Sequence, residues 1–275
     1  MTAYKSILAY LSDAATARQT LALALKVAVT HAARLRVLHV RPDATNAVPL
    51  VGEGMSGAMV EEMLALAETR AANRANELHG LFEQALADTP ANAVWVEEVG
   101  QEEDLLALVG RLTDLVVMAR PSPDSESAPL LALNAVLMES GRPLLLVPER
   151  PVQQVGRHVA VLWNGSAEAS RAVAFAMPFL AGAEKVSIFS ASEARSLAQP
   201  QALADYLACH GIKAETRVMP AGGTVETTLL GEVEKAGADM MVMGAYTHSR
   251  LRQLILGGVT RHILLHATLP VLMCH

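Results

Sequence analysis

Gly244, Gly257 and Gly258 bracket the stretch MGAYTHSRLRQLILGGVT, Met243 to Thr260, and their spacing suits the capture of an anion. Gly244 directly follows the apolar run DMMVM, where a residue without Cβ permits close backbone approach or a positive φ. Gly257 and Gly258 precede the helix-like run VTRHILLHA, so their N–H groups stand at a helix start, without intrahelical acceptors. Such a start offers a phosphate both donors and a partial positive charge. Arg250 and Arg252 add cations, and Thr260 adds a hydroxyl on the first turn. The same pattern also suits a strand-to-helix connection whose glycines serve backbone geometry alone. From the residues by themselves, both readings stand.

Other candidate chemistry is weaker. GEGMSG, Gly52 to Gly57, has the form G-x-G-x-x-G, but a dinucleotide fingerprint needs a buried strand ahead of it. DATNAVPLV, with Pro49 and polar residues, precedes it instead. It reads as a loop entering a long helix, in a position to cover a ligand as a lid. His262 and His266 are four apart and share a helix face, with Cys274 and His275 downstream. No HExxH pattern or acidic third ligand accompanies them, so no metal or redox cofactor is expected. Ser166, in NGSAEAS, reads as a helix cap followed by Glu168 in an acidic first turn. There is no G-x-S-x-G elbow, no P-loop ending in Lys-Ser/Thr and no Cys-x-x-Cys. Nucleotide hydrolysis needs a water-orienting group and usually Mg²⁺ ligands. The glycine stretch has no obvious carboxylate pair, so binding without turnover is expected, and not an enzyme.

The elements that would position these residues occur twice. TDLVVMA (Thr113 to Ala119) matches ADMMVMG (Ala238 to Gly244), and GRPLLLVP matches TLPVLMCH with Pro143 answering Pro270. KSILAYLSD parallels RHVAVLWNG, and RLRVLHV parallels EKVSIFSA, in the same order. The chain therefore reads as a tandem duplication. The seam lies in VPERPVQQVGR, Val147 to Arg157, giving domains of residues 1–150 and 156–275. Strands are expected near 5–11, 34–40, 92–98, 113–119 and 143–147, then 158–163, 185–191, 212–219, 239–244 and 270–273. Helices are expected near 14–32, 57–87, 101–111 and 130–140, then 167–181, 199–210, 224–236 and 258–267. Strands apolar nearly throughout, alternating with helices, indicate a parallel sheet covered on both faces. The expected fold is α/β, two doubly wound five-stranded parallel-sheet domains. Ligands of such sheets bind at the carboxyl ends of the strands where the winding reverses, which singles out NGS at Asn164, SASE at Ser190 and the opening stretch.

These motifs resemble the universal stress protein family. Its C-terminal signature runs Gly, two residues, Gly, nine residues, Gly, then Ser or Thr, ahead of a helix and a final PVLV-like strand. Gly244 and Gly257 hold the first and third glycine positions, and LGGVTRHILLHATLPVLM follows the rest closely. The resemblance covers essentially the whole chain, once per half, as in tandem members. It implies the adenine nucleotide alpha hydrolase-like form of the doubly wound fold, and ATP or AMP as the ligand in members that bind one. Here it implies that the backbone of Gly244, Gly257 and Gly258 holds phosphates, that Thr260 assists, and that Asn164 and Ala191 face the nucleoside. Thr247 stands where the signature has its second glycine, Gly258 where it has Ser or Thr, and Asn164 where binders usually have Asp. In the first half Ala119 stands opposite Gly244, and Leu130 and Leu131 stand opposite Gly257 and Gly258. Asp124 and Glu126 would also repel a phosphate, so that half is expected to have a degenerate nucleotide site and a structural or partner-binding role. Family dimers pair through the last strand, which implies an intramolecular pseudo-dimer through Leu144–Val147 and Val271–Met273, and leaves a further homodimer open. The implied role is regulatory or protective in a stress response. A scaffold of the same fold that binds protein partners and no nucleotide is the alternative.

Composition bounds the rest. Apolar residues make up 52% of 275 and charged residues 18%, enough for a sizeable core. A net charge of −6 gives no basic footprint for nucleic acid. No apolar run is long enough to span a bilayer. Cys209 and Cys274, the two cysteines, are expected to be buried, unreactive thiols of a reduced, cytoplasmic protein.

Overall fold

The computed structural model describes residues 3–43, 57–121, 127–190, 199–219, 225–245 and 258–275. The first half runs β1 (Ser6–Tyr10), α1 (Ala14–His31), β2 (Arg34–Arg41), α2 (Gly57–Asp88), β3 (Ala93–Val99), α3 (Glu102–Gly110), β4 (Leu115–Ala119), α4 (Ser127–Glu139) and β5 (Leu144–Val147). The second half repeats the order with β6 (His158–Leu162), α5 (Ala167–Gly182), β7 (Lys185–Ser190), α6 (Pro200–Cys209), β8 (Ala214–Val218), α7 (Val225–Lys235), β9 (Met240–Gly244), α8 (Gly258–His266) and β10 (Val271–Cys274). Each half winds its strands in the order 3-2-1-4-5, parallel throughout. GEGMSG lies outside the described residues up to Ser56, and its last glycine, Gly57, opens α2.

The two sheets are continuous. β5 and β10 pair antiparallel, with Leu145 opposite Leu272 and Leu146 opposite Val271, giving ten strands in the order β3-β2-β1-β4-β5-β10-β9-β6-β7-β8. Alternation along the strands then builds two apolar layers, each shared by both halves. Ile7, Val117, Leu145, Leu272, Val242 and Val161 face the layer beneath α1, α2, α5 and α6. Leu8, Val116, Leu144, Met273, Met241 and Ala160 face the one beneath α3, α4, α7 and α8. The edge strands β3 and β8 are half-buried to exposed and carry charges, with Glu97 paired to Arg41 at 3.2 Å and Glu215 to Lys185 at 3.2 Å. Such edges resist pairing with further chains.

The first layer is fastened across the halves. The Tyr4 hydroxyl donates to the Phe175 carbonyl at 2.7 Å, and Tyr4, His31 and Phe179 meet edge to face at centroid distances of 4.9–5.5 Å. Lys26 Nζ donates to the carbonyls of Val152 at 3.1 Å and Gln153 at 2.6 Å, pinning the connecting segment to α1. Two expectations need correction. Helix α4 starts at Ser127 rather than near 130, because Pro129 falls in its first turn, where its fixed φ is compatible with a helix. Cys209 is exposed at the end of α6, whereas Cys274 is buried and burial pushes its thiol up to about 11.

Because Leu145 is fully buried where the halves join, Leu145→Ala should lower the unfolding free energy by about 2–5 kcal/mol. Trp95 and Trp163 report on one half each, so urea unfolding followed by fluorescence in Trp95→Phe and Trp163→Phe backgrounds should give the same lowered midpoint. A shift seen by one tryptophan alone would mean that the halves unfold separately.

Candidate functional site

In the second half the winding reverses at β6: β7 and β8 lie to one side of it, β9 and β10 to the other. The chain leaves β6 through Trp163, Asn164 and Gly165. Asn164 Oδ1 accepts from the Ser166 N–H at 3.1 Å, and Gly165 turns the chain at φ +73°. Ser166 Oγ then accepts from the Ala169 N–H at 3.1 Å and caps α5. Asn164 thus shapes the turn that aims α5 across the end of β9.

Gly244, the last residue of β9, meets that helix. A Cβ built on it would lie 2.5 Å from the Ala169 nitrogen and 2.7 Å from the Glu168 carbonyl carbon. Its φ is not positive, so the glycine is required for close approach and not for an unusual backbone turn. The helix start brings Glu168 to the site. Burial pushes its carboxyl pKa up, but its own N–H, the Ser166 hydroxyl and the Arg171 guanidinium together hold it below the usual range. Arg171 donates through Nη2 to Glu168 Oε1 at 3.1 Å and through Nε to the His275 carbonyl at 3.0 Å. His275 Nδ1 lies 3.1 Å from the Ala245 carbonyl. The ends of β9 and β10 therefore hold charge of both signs, fixed by local bonds. The sequence reading had only the acidic first turn; the three-residue spacing of Glu168 and Arg171 was the available signal for their pairing.

Of the residues expected to bind nucleotide, Asn164 shapes the turn into α5 and Gly244 packs on the first turn of that helix. Gly258 opens α8 and is exposed, while Thr260 is buried, 6% exposed, against the second apolar layer. Ala191, Thr247 and Gly257 lie outside the described residues, as do Arg250 and Arg252. In the first half, Asp13 caps α1 and Ala119 ends β4. Leu130 and Leu131 fall inside α4 rather than at its start, and Asp124 and Glu126 lie outside the described residues. His262 and His266 pack ring to ring at 4.5 Å on α8; among the described residues no group of three or more His, Cys, Asp or Glu is placed to hold a metal ion. No described helix is long and apolar enough to cross a membrane.

Residues 157–275, the half with this turn and helix start, match the model of the universal stress protein family. The family match covers the second half of the chain. Universal stress protein Slr1230 of Synechocystis is 26% identical over 149 residues, covering 51% of this chain and 49% of that one. The match thus spans about half the length of this curated relative. The crystal structure of a universal stress protein from Archaeoglobus fulgidus superposes with a TM-score of 0.67 at 17% identity, over 97% of this chain and 95% of that one. A functionally unknown protein of Pseudomonas aeruginosa, PA1789, gives 0.58 at 14% identity, over 99% and 93%. At these identities the likeness is one of fold, and it extends over both halves.

In this fold, Gly244→Ala should force α5 off β9 and lower stability by about 1–3 kcal/mol. Ala119→Gly, at the equivalent end of β4, should cost only about 0.5–1 kcal/mol. Chemical denaturation of both variants checks this; equal, small effects would mean that the α5 contact yields freely.

Proposed function

We propose that the second half binds an adenine nucleotide, ATP or AMP, without turning it over, and that the protein acts as a nucleotide-responsive regulator or protective factor in a stress response. The observation that carries this reading is the start of α8. Gly258 is exposed there, after β9 and beside the strand where the winding reverses, in the half that matches the family. Helix starts of this kind hold phosphates through free N–H groups. The phosphates belong against Gly257 and Gly258, with the nucleoside towards Asn164 and Ala191. Thr247 and Thr260 flank the phosphates, and Gly244 contributes the approach of α5. In this reading residues 1–150 and 156–275 are two domains of a tandem protein. They form an intramolecular pseudo-dimer through β5 and β10, the first keeps a degenerate site, and the protein works in the cytoplasm.

A scaffold that binds no nucleotide is favoured by a specific observation. Gly244 has a packing role, the Asn164 carbonyl is bonded within its own turn, and Thr260 is buried. Each of these residues would be retained for the fold alone.

Calorimetric titration separates the two. Wild type should bind ATP or AMP saturably at about one site per chain, because among the described residues α8 is the helix after a fourth strand that opens on glycine. Gly258→Glu, at an exposed position, should abolish binding without loss of fold, since it sets a carboxylate where the phosphate lies. Absence of binding by folded wild type would leave the scaffold reading.

A further inference from the structure

The two halves differ most at the contact between the first helix and the end of the fourth strand. Asp13 and Ser166 are equivalent caps, so Ala15 and Thr16 of α1 answer Glu168 and Ala169 of α5. In the second half those two residues lie directly on Gly244. In the first half the corresponding strand end is Ala119. A cavity of about 230 Å³ opens there, between α1 and the ends of β4 and β5.

Arg120 follows Ala119 and lines this cavity, with its side chain only 10% exposed. Its Nη2 is 3.5 Å from Glu149 Oε1, a carboxylate 60% exposed at the cavity's edge. Nε and Nη1 are buried and, among the described residues, have no acceptor. Thr16, Gln19 and Thr20 line the α1 side. The Thr16 hydroxyl already donates to Asp13 Oδ1 at 3.0 Å and that of Thr20 to the Thr16 carbonyl at 3.0 Å, so the guanidinium is the cavity's charged donor, with the Gln19 amide beside it. A buried guanidinium with one exposed partner leaves much of its charge uncompensated, and unpaired buried charge is strongly destabilising. Arginine meets carboxylate or phosphate oxygens with short, charge-assisted bonds. The cavity exceeds the ~30 Å³ share of a water molecule several-fold, leaving room for such a group on a compact body.

We infer that the first half carries its own ligand site, in which Arg120 binds a small oxyanion, the carboxylate or phosphate of a compact metabolite, between α1 and the ends of β4 and β5. This site is separate from the proposed nucleotide site. It lies in the other half, on the α1 side of the sheet, and uses a side-chain cation in place of glycine N–H groups. It opens where Ala119 stands in place of the strand-end glycine of the second half.

The test is thermal unfolding of the full chain, followed by tryptophan fluorescence, in graded sodium phosphate and, separately, sodium acetate, with chloride keeping ionic strength constant. Wild type should show a saturable rise in midpoint with at least one anion, and the more effective one names the group bound. Arg120→Met should lose that rise, and Glu149→Gln should reach it at lower anion concentration because a competing carboxylate is gone. Gly258→Glu should keep it, which separates this site from the nucleotide site. Should Arg120→Met fail to fold, Ala15→Leu fills the cavity from an exposed position with the charge intact, and it too should lose the rise. No saturable rise in wild type would overturn the inference. So would an equal rise in wild type and Arg120→Met, which is a general salt effect, or a rise unchanged by Ala15→Leu.

Discussion

The backbone hydrogen bonds between β5 and β10 are the constraint on which the rest of the molecule rests. A parallel sheet buried on both faces cannot leave its last strand unpaired beneath helices, since each bare N–H and C=O there would lack water as well as a partner. Leu144–Val147 and Val271–Cys274 are apolar at every position, buried, and carry that demand in both halves. Pairing them to each other satisfies both edges at once. It also makes the two apolar layers continuous, so Leu145 and Leu272 belong to one core. The outer edges, β3 and β8, are partly exposed and carry Glu97, Glu98, Glu215 and Arg217.

Within that frame, one missing methyl group separates the halves. Gly244 lets α5 lie on β9, and that contact brings Glu168, Arg171 and His275 into a closed set of bonds at the strand ends. At the end of β4, Ala119 stands where Gly244 stands in the second half, and a cavity with a buried guanidinium takes the place of that closed set. The two halves repeat one strand order, and their strand ends differ in chemistry.

The fold was readable because its signals are local and repeated. Apolar runs such as LVVM and MMVM mark strands buried on both faces, and all ten strands fall within about two residues of their expected bounds. The cap at Ser166 was equally legible, since Ser followed by an acidic first turn satisfies orphan N–H groups in any context. Helix α4 begins at Ser127, earlier than expected, and proline is tolerated in a first turn, where no N–H is needed. Exposure of Cys209 was misjudged because burial on a helix depends on which face meets the sheet, and one thiol does not reveal that.

The candidate site was legible as a set of residue types and far less as a set of roles. By itself the sequence determined the duplication, the element order, the doubly wound topology and the glycines around β9 and α8, all of which follow from periodicity and backbone stereochemistry along the chain. Only the tertiary structure decided that Gly244 accommodates a helix, that Thr260 faces the core, and that Arg120 is buried at a cavity beside α1. Those outcomes depend on distances between segments far apart in the chain, which no local pattern encodes.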